Sequence, residues 1–265
     1  MKGYKKFKQK MKKIARYTPV LSVLLARYLQ RKTTKESLPE LIRESTRFYQ
    51  LLARYRINVV LDVGAHNGIT GVNLRDHGYT SRIVSFEPLP DVFLELSEWS
   101  KLAPPWECYP YALGERQESK KIKVLGNKFA SSFLDGQEIL RRELAQHGGG
   151  HVEKEELVEV KKLDDLYPNL CKESDIVLLK IDTQGYEKKV LEGALKSLKH
   201  IRFVKMELSL VEIYKHETVM HEMIAFMTSL GYAPILLERG HVSDETLYQL
   251  QADVIFTNLR YETDH

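Results

Sequence analysis

The sequence predicts an α/β domain with a doubly wound, mostly parallel sheet, because strand-like and helix-like segments alternate along most of its 265 residues. Two further observations locate a ligand site in that fold. Residues 59–63 (VVLDV) have four apolar residues in five, as expected of a central parallel strand covered on both faces. An acidic, glycine-containing turn follows directly, and open α/β sheets bind ligands beyond the carboxyl ends of such strands.

The predicted elements follow in a regular order. The spacing of apolar residues from Leu41 to Tyr55 predicts a helix that leads into the first strand. The pattern then predicts a helix near 69–77, a strand at 82–86, a helix near 91–101 and a strand near 106–110. Residues 119–161 interrupt the alternation, and we interpret them as an insertion that faces the substrate. Alternation resumes with a strand at 176–182, a helix over 190–198, a strand at 201–208, a helix over 219–227 and strands at 233–238 and 252–258.

Charge divides the chain into a basic arm with a linker (residues 1–40) and a domain (residues 41–265). Residues 1–32 hold eleven of the 40 basic residues and none of the 36 acidic ones, so the domain is mildly acidic. Phe7, Met11 and Ile14 recur at helical spacing among lysines, which predicts a short helix lying on an anionic membrane surface. A disordered solubilising tail is the alternative. The acidic domain is not expected to bind nucleic acid.

The composition predicts a cytoplasmic protein, with peripheral membrane contact through residues 1–32 as a further expectation. The apolar run at 20–26 is far shorter than the ~20 residues that a membrane-spanning helix needs. Cys108 and Cys171, the two cysteines, predict no disulfide framework, and a reducing compartment is the default.

The turn after the first strand predicts a binding site for S-adenosylmethionine. Asp62 precedes the turn, and a second negative charge there would be unfavourable beside the pyrophosphate of NAD. S-adenosylmethionine has an ammonium and a sulfonium group and no phosphate. Gly64 and Gly68 permit a sharp turn, and His66 stands where dinucleotide-binding folds have a second glycine. We therefore predict that Asp62, Gly64, Asn67 and Gly68 bind the cofactor.

Glu87 is predicted to bind the ribose of that cofactor. It ends the second strand, 19 residues after Gly68, so a right-handed βαβ unit brings it beside the end of the first strand. A carboxylate there has two oxygens that accept both ribose hydroxyl protons.

The segment KIDTQGYE at 180–187 supplies the predicted catalytic group. Lys180 and Asp182 point the same way along a strand, and Asp182 lies at its carboxyl end, which favours Asp182 as the base that faces the transferred methyl group. The alternative is that Asp182 only caps the next helix. His66 is the second candidate for the base. Glu187 and Glu207 are nearby alternatives to Asp182 for the residue that faces the methyl group. Four other polar residues are predicted to contact the substrate: Ser131, Ser132, Glu187 and Glu207.

The histidines do not predict a metal site. His216 and Glu217 begin a pattern like that of a zinc enzyme, but His221 is one residue too late and lies about 140° around the helix. His147 and His151 flank three glycines, which is typical of an exposed loop.

Four ordered motifs make the chain similar to the FkbM-type family of S-adenosylmethionine-dependent methyltransferases over about residues 57–258. They are LDVGAHNG, SFEP, VKKLDDL at 160–166 and LLKIDTQGYEKKVLEGA at 178–194. The resemblance implies a Rossmann-like, class I fold with a seven-stranded sheet, and transfer of a methyl group to an oxygen, commonly a hydroxyl of a sugar or secondary metabolite. It implies that Asp62, Gly64 and Glu87 bind the cofactor. The chain departs from the family at His66 and near Tyr111, so recognition of adenine is expected from the backbone around Ala112.

Two other functions are open to such a chain. An NAD-linked oxidoreductase is disfavoured by Asp62 and by the absence of glycine at position 66. A non-enzymatic, methyltransferase-like binding module tethered by the basic arm is the alternative to an enzyme that acts on a small molecule or a glycan.

Overall fold

The computed structural model describes residues 39–127, 130–145, 151–243 and 245–261. The predicted arm and most of its linker, together with His147, lie outside these residues. The helices in the described part are α1 (Pro39–Arg54), α2 (Ile69–Asp76), α3 (Pro90–Leu102), α4 (Glu138–Ala145), α5 (Leu163–Leu170), α6 (Glu187–Glu192) and α7 (Met220–Ser229). The strands are β1 (Val59–Val63), β2 (Arg82–Phe86), β3 (Trp106–Tyr109), β4 (Ala112–Leu113), β5 (Glu118–Leu125), β6 (Val152–Lys161), β7 (Val177–Ile181), β8 (Ile201–Ser209), β9 (Tyr232–Arg239) and β10 (Gln251–Asn258).

A seven-stranded sheet with the order β3-β2-β1-β7-β8-β10-β9 forms the centre of the domain. Its first five strands are parallel, and β10 runs antiparallel to both β8 and β9. The predicted α/β fold class and the seven-stranded, mostly parallel sheet are therefore confirmed. None of the helices in the described part has the length and apolar composition needed to span a bilayer.

Both faces of the sheet are buried at β1, which explains the apolar run of that strand. Leu61 packs into the core on one face with α5, α6 and α7, whereas Val60 packs into the core on the other face with α1, α2 and α3. All five residues of β1 are buried. A site beside β1 therefore lies at the end of the strand.

The insertion is more regular than its sequence suggests. β5 pairs with β6 in antiparallel register over eight residue pairs, and β4 adds in parallel to form a second, three-stranded sheet. Ile122 and Val158 of this sheet pack on Leu89 and Val92, at the start of α3. The small sheet therefore stands over the carboxyl ends of β1 and β2.

The helix predicted over 190–198 ends early, at Glu192, because of its close contact with the segment after β4. A Cβ atom at Gly193 would lie 1.9 Å from the carbonyl oxygen of Gly114. A 3₁₀ helix, Ser197–His200, follows, and Asp164 of the VKKLDDL motif accepts hydrogen bonds from its Ser197 N and Oγ at 2.8 and 2.7 Å. That motif thus stabilises the fold at a distance from the strand ends.

Candidate active site

A cavity of about 420 Å³ lies at the carboxyl edge of the large sheet, between the strand ends and the insertion. Its wall has an apolar part with Phe86, Leu113 and Phe133, and a polar part at the end of β7. No lysine or arginine is present among its described lining residues. The polar lining residues include His66, Glu87, Asn127, Ser131, Glu143, Asp182, Thr183, Gln184, Glu207, His241 and Gln251.

The turn after β1 brings two strand ends into backbone contact. Gly64 has φ of +72°, and a Cβ atom on it would lie 2.0 Å from the carbonyl oxygen of Asp182, so only glycine fits. Gly68 has φ of +86° and begins α2. His66, between them, also adopts a positive φ (+49°), and it lines the cavity. The turn after β1 is therefore fixed directly against the turn after β7.

Glu87 is buried and oriented by the backbone. Its Oε2 accepts a hydrogen bond from the His66 N–H and its Oε1 accepts one from the Leu89 N–H, both at 2.9 Å. Burial raises the pKa of Glu87 to about 7, although both hydrogen bonds oppose the shift. Each carboxylate oxygen keeps capacity for a further donor from the cavity.

Lys180 joins Asp62 to Asp182. Its Nζ lies 3.2 Å from Asp62 Oδ1 and 3.4 Å from Asp182 Oδ2. Burial lowers the pKa of Lys180, but the two carboxylates raise it by more, so the pKa lies above its ordinary value. Asp62 itself is completely buried within β1 and does not line the cavity. Its carboxylate contacts Lys180, which in turn contacts Asp182 at the cavity wall.

Asp182 faces the cavity and does not cap the following helix. Its described partners are Lys180 and the Gln184 side chain, whose Nε2 lies 2.8 Å from Asp182 Oδ1. Glu187 instead stabilises the turn after β7, because its Oε1 accepts hydrogen bonds from Thr183 N at 2.8 Å and Gly185 N at 3.3 Å. Asp182 therefore does not act as a helix cap. Glu187 does not line the cavity.

Glu207, at the end of β8, is the second carboxylate of this part of the cavity. Its Oε2 accepts hydrogen bonds from Gln184 Nε2 at 3.3 Å and Gln251 Nε2 at 2.9 Å. Burial raises the pKa of Glu207 to about 8, and the charges of Asp182 and Asp253 add to the increase. No cationic side chain in the described part of the chain forms an ion pair with Glu207.

The two predicted serines have different positions. Ser131 lines the cavity, and its Oγ accepts a hydrogen bond from Leu125 N at 3.2 Å. Ser132 is buried, and its Oγ donates to the carbonyl oxygen of Gln184 at 2.6 Å. Ser132 therefore connects the insertion to the turn after β7.

The structure brings seven of the twelve predicted site residues to one cavity: Gly64, His66, Glu87, Ala112, Ser131, Asp182 and Glu207. The remaining five lie outside its wall: Asp62, Asn67, Gly68, Ser132 and Glu187. Three further polar lining residues were not predicted: Gln184, Gln251 and His241. Gln184 stands within the conspicuous DTQG turn, whereas no local motif indicates Gln251 or His241. In the described part, no group of three or more His, Cys, Asp or Glu side chains is arranged to hold a metal ion.

Comparisons with known proteins give a family match and several solved structures of similar fold. Residues 62–234 match the Methyltransferase FkbM domain. A search of curated proteins gives no match. The fold is similar to the magnesium protoporphyrin IX methyltransferase ChlM of Synechocystis PCC 6803, solved with bound SAM (6% identity over 83% of this chain and 78% of that chain, TM-score 0.44).

Two further solved structures are similar at comparable levels. One is the precorrin-6y C5,15-methyltransferase of Geobacter metallireducens (11% identity, 85% of this chain, 93% of that chain, TM-score 0.42). The other is an rRNA methylase of Streptococcus thermophilus (10% identity, 81% of this chain, 96% of that chain, TM-score 0.41). The family match covers more than half of the chain, so the protein belongs to the FkbM family of methyltransferases, and its cofactor is S-adenosylmethionine.

Proposed function

We propose that the protein transfers a methyl group from S-adenosylmethionine to a hydroxyl group of a sugar, a glycan or a small secondary metabolite. In this proposal the cofactor lies at the part of the cavity, here called the cofactor end, formed by Gly64, His66, Glu87 and Ala112. The acceptor lies at the adjoining part, here called the acceptor end, formed by Ser131, Asp182, Gln184 and Glu207.

The cofactor end has groups suited to S-adenosylmethionine. Glu87 is held by two backbone N–H groups, and its oxygens are able to accept both ribose hydroxyl protons. Phe86 and Leu113 give apolar surface for the adenine ring. The absence of lysine and arginine among the described lining residues suits a cofactor that has positive charge and no phosphate. The same absence disfavours nucleic-acid acceptors, whose phosphates are usually held by cationic side chains.

The position of Asp182 carries the proposal. Its carboxylate lies on the cavity wall, its backbone contacts the Gly64 turn, and its side chain is held by Lys180 and Gln184. A base in this place is beside both the cofactor end and the acceptor end. His66, which follows Gly64 in that turn and also lines the cavity, is the second candidate.

Bound S-adenosylmethionine supplies a methyl group on a good leaving group, so alignment of the reactants by the protein is worth about 7–11 kcal/mol of the barrier. Asp182 accepts the hydroxyl proton as the oxygen–carbon bond forms and the sulfur–carbon bond breaks, which adds a factor of roughly 10² to 10⁴. The ammonium of Lys180 complements the charge of Asp182.

A labelled-methyl transfer assay tests the function. Sugars, glycans, hydroxylated small metabolites and RNA are offered with S-adenosylmethionine, and we expect label on a hydroxyl oxygen. Asp182→Asn should lower turnover at least about 10²-fold with little change in cofactor affinity. Asp165→Asn, on the exposed side of α5, is the matched control and should act like wild type.

Two results would overturn these assignments. Methylation of nitrogen or carbon alone would exclude the hydroxyl acceptor, and wild-type turnover in Asp182→Asn would exclude Asp182 as the base. Cofactor binding without acceptor-dependent consumption of S-adenosylmethionine would favour the binding-module alternative.

A further inference from the structure

We propose that Gln184 is a positioning residue for methyl transfer, whose side-chain amide holds the carboxylates of Asp182 and Glu207 together at the acceptor end. This inference rests on the proposed function of that end. Gln184 acts through the two carboxylates and is not itself the group that takes the proton.

One nitrogen atom contacts both acids. Gln184 Nε2 lies 2.8 Å from Asp182 Oδ1 and 3.3 Å from Glu207 Oε2, so its two hydrogens are able to serve one carboxylate each. Two carboxylates so near each other repel even with Lys180 beside Asp182, which favours uptake of a proton by one of them. The bridging amide offsets that repulsion and sets the separation of the two groups.

The orientation of this amide is fixed by a second side chain. Tyr214 is fully buried, and its hydroxyl lies 2.9 Å from Gln184 Oε1. A hydrogen bond from the hydroxyl to Oε1 leaves Nε2 as the atom that faces the two acids. The same hydroxyl also lies 3.0 Å from the Ala130 carbonyl oxygen. Because the two acids accept hydrogen bonds, their contacts and that of Tyr214 favour the same orientation, in which Nε2 meets Asp182 and Glu207.

The backbone of Gln184 is also held in an uncommon conformation. Its φ is +56°, in the left-handed region that side-chain-bearing residues seldom adopt and that persists where the surroundings enforce it. Ser132 of the insertion donates a hydrogen bond to its carbonyl oxygen at 2.6 Å. Since Ser131 lines the cavity, the same segment that borders the acceptor also holds the residue that arranges the acids.

The charges around the pair explain why loss of the amide should be visible in a titration. Lys180 faces Asp182, whereas the charges of Asp182, Asp253 and Glu187 all act on Glu207. Asp253 is itself paired with Lys205 at 2.8 Å. The hydrogen bond from Gln184 lowers the pKa of Glu207 against burial and these charges. Its removal should therefore raise the pKa of Glu207.

The test uses Gln184→Met, which keeps length and removes the amide. Turnover should fall about 10- to 100-fold, the acid limb of its pH profile should move to higher pH, and cofactor affinity from calorimetry should stay at the wild-type value. Tyr214→Phe should act in the same direction with a smaller effect. Gln251→Met removes a donor from Glu207 and none from Asp182, so its effect on turnover should be smaller than that of Gln184→Met.

Tyr232→Phe is the matched control for a purely structural effect. It removes another buried hydroxyl, which donates to Leu198 O and Ile201 O at 2.8 and 2.7 Å, away from the cavity. It should lower Tm and leave the pH profile unchanged. If Gln184→Met also changes only Tm, Gln184 is structural and the inference is wrong.

A titration that needs no acceptor keeps this inference separate from the proposed function. Carboxyl resonances of Asp182 and Glu207, followed by ¹³C NMR, should show a higher pKa for Glu207 in Gln184→Met than in wild type. An unchanged titration would overturn the positioning role even if wild type methylates hydroxyls. If the pKa of Glu207 is higher in Gln184→Met but the protein methylates only nitrogen, the positioning role of Gln184 stands and the hydroxyl acceptor is wrong.

Discussion

The cofactor end and the acceptor end are held in place by different kinds of contact. Glu87, at the cofactor end, is oriented by backbone N–H groups of nearby residues, His66 and Leu89. Glu207, at the acceptor end, is oriented by side-chain amides of Gln184 and Gln251. Backbone contacts within one βαβ unit follow from a local motif, whereas contacts between distant side chains vary with every substitution. This difference explains why the residues around Glu87 form a recognisable sequence motif. The contacts at the acceptor end form no such motif, and the family match does not identify the acceptor.

Lys180 connects the buried Asp62 of β1 to Asp182 at the acceptor end. Loss of Lys180 should have the largest effect on stability. Lys180→Met leaves Asp62 buried without its cation, which should cost about 3–5 kcal/mol of unfolding free energy. Lys189→Met is the matched control: Lys189 pairs with Glu115 and Glu192 at the surface, where such pairs contribute at most about 1 kcal/mol. Urea unfolding of both variants measures the difference. Equal losses would mean that Lys180 does not neutralise Asp62.

Glu87→Ala should affect the cofactor end alone. Loss of hydrogen bonds to a charged group costs about 1.5–3 kcal/mol, so binding of S-adenosylmethionine should weaken roughly 10- to 100-fold. Calorimetry measures the affinity, and circular dichroism checks that the variant is folded. Together with Asp182→Asn, which should lower turnover and spare affinity, this variant separates the two ends. Unchanged affinity in folded Glu87→Ala would remove Glu87 from the ribose site.

Cofactor affinity should rise with pH in the wild type. The pKa of Glu87 is raised to about 7, and ribose hydroxyls donate more strongly to the ionised form, so binding should favour the deprotonated protein. Affinity should therefore fall as pH decreases through 7, by at most about ten-fold between pH 8 and pH 6. Glu87→Gln is the control, because it does not titrate and should flatten the dependence. A pH dependence that survives in Glu87→Gln belongs to another group.

The sequence predicted the strands and the turn around the cavity better than the side-chain contacts between them, for a physical reason. The period of apolar residues and the glycine turn are local signals, and they located β1, β2, β7 and the Gly64 turn closely. The role of Lys180 as a bridge depends on the pairing of β1 with β7, which no local signal encodes. Gln251 is 67 positions from Gln184, yet both amides meet on Glu207. Such a contact can be predicted only when the order of the strands in the sheet is known.

The basic arm, residues 1–32, should have the smallest effect on turnover, because both ends of the cavity are built from residues beyond it. The arm lies outside the described residues, and its attachment to a membrane stays a prediction. Eleven cationic side chains, at up to ~1 kcal/mol each near an anionic leaflet, would be enough to hold the protein at a surface.

Deletion of residues 1–32 should leave turnover on a soluble acceptor intact and abolish sedimentation with phosphatidylserine-containing vesicles. Replacing Phe7, Met11 and Ile14 with serine keeps the charge and removes the apolar residues, so it distinguishes a helix inserted in the interface from simple electrostatic attraction. Binding should weaken as salt rises, because exposed charges are screened beyond ~10 Å at 0.1 M. If the full-length protein fails to sediment with these vesicles even at low salt, the arm is a solubilising tail, and the acceptor need not be at a membrane.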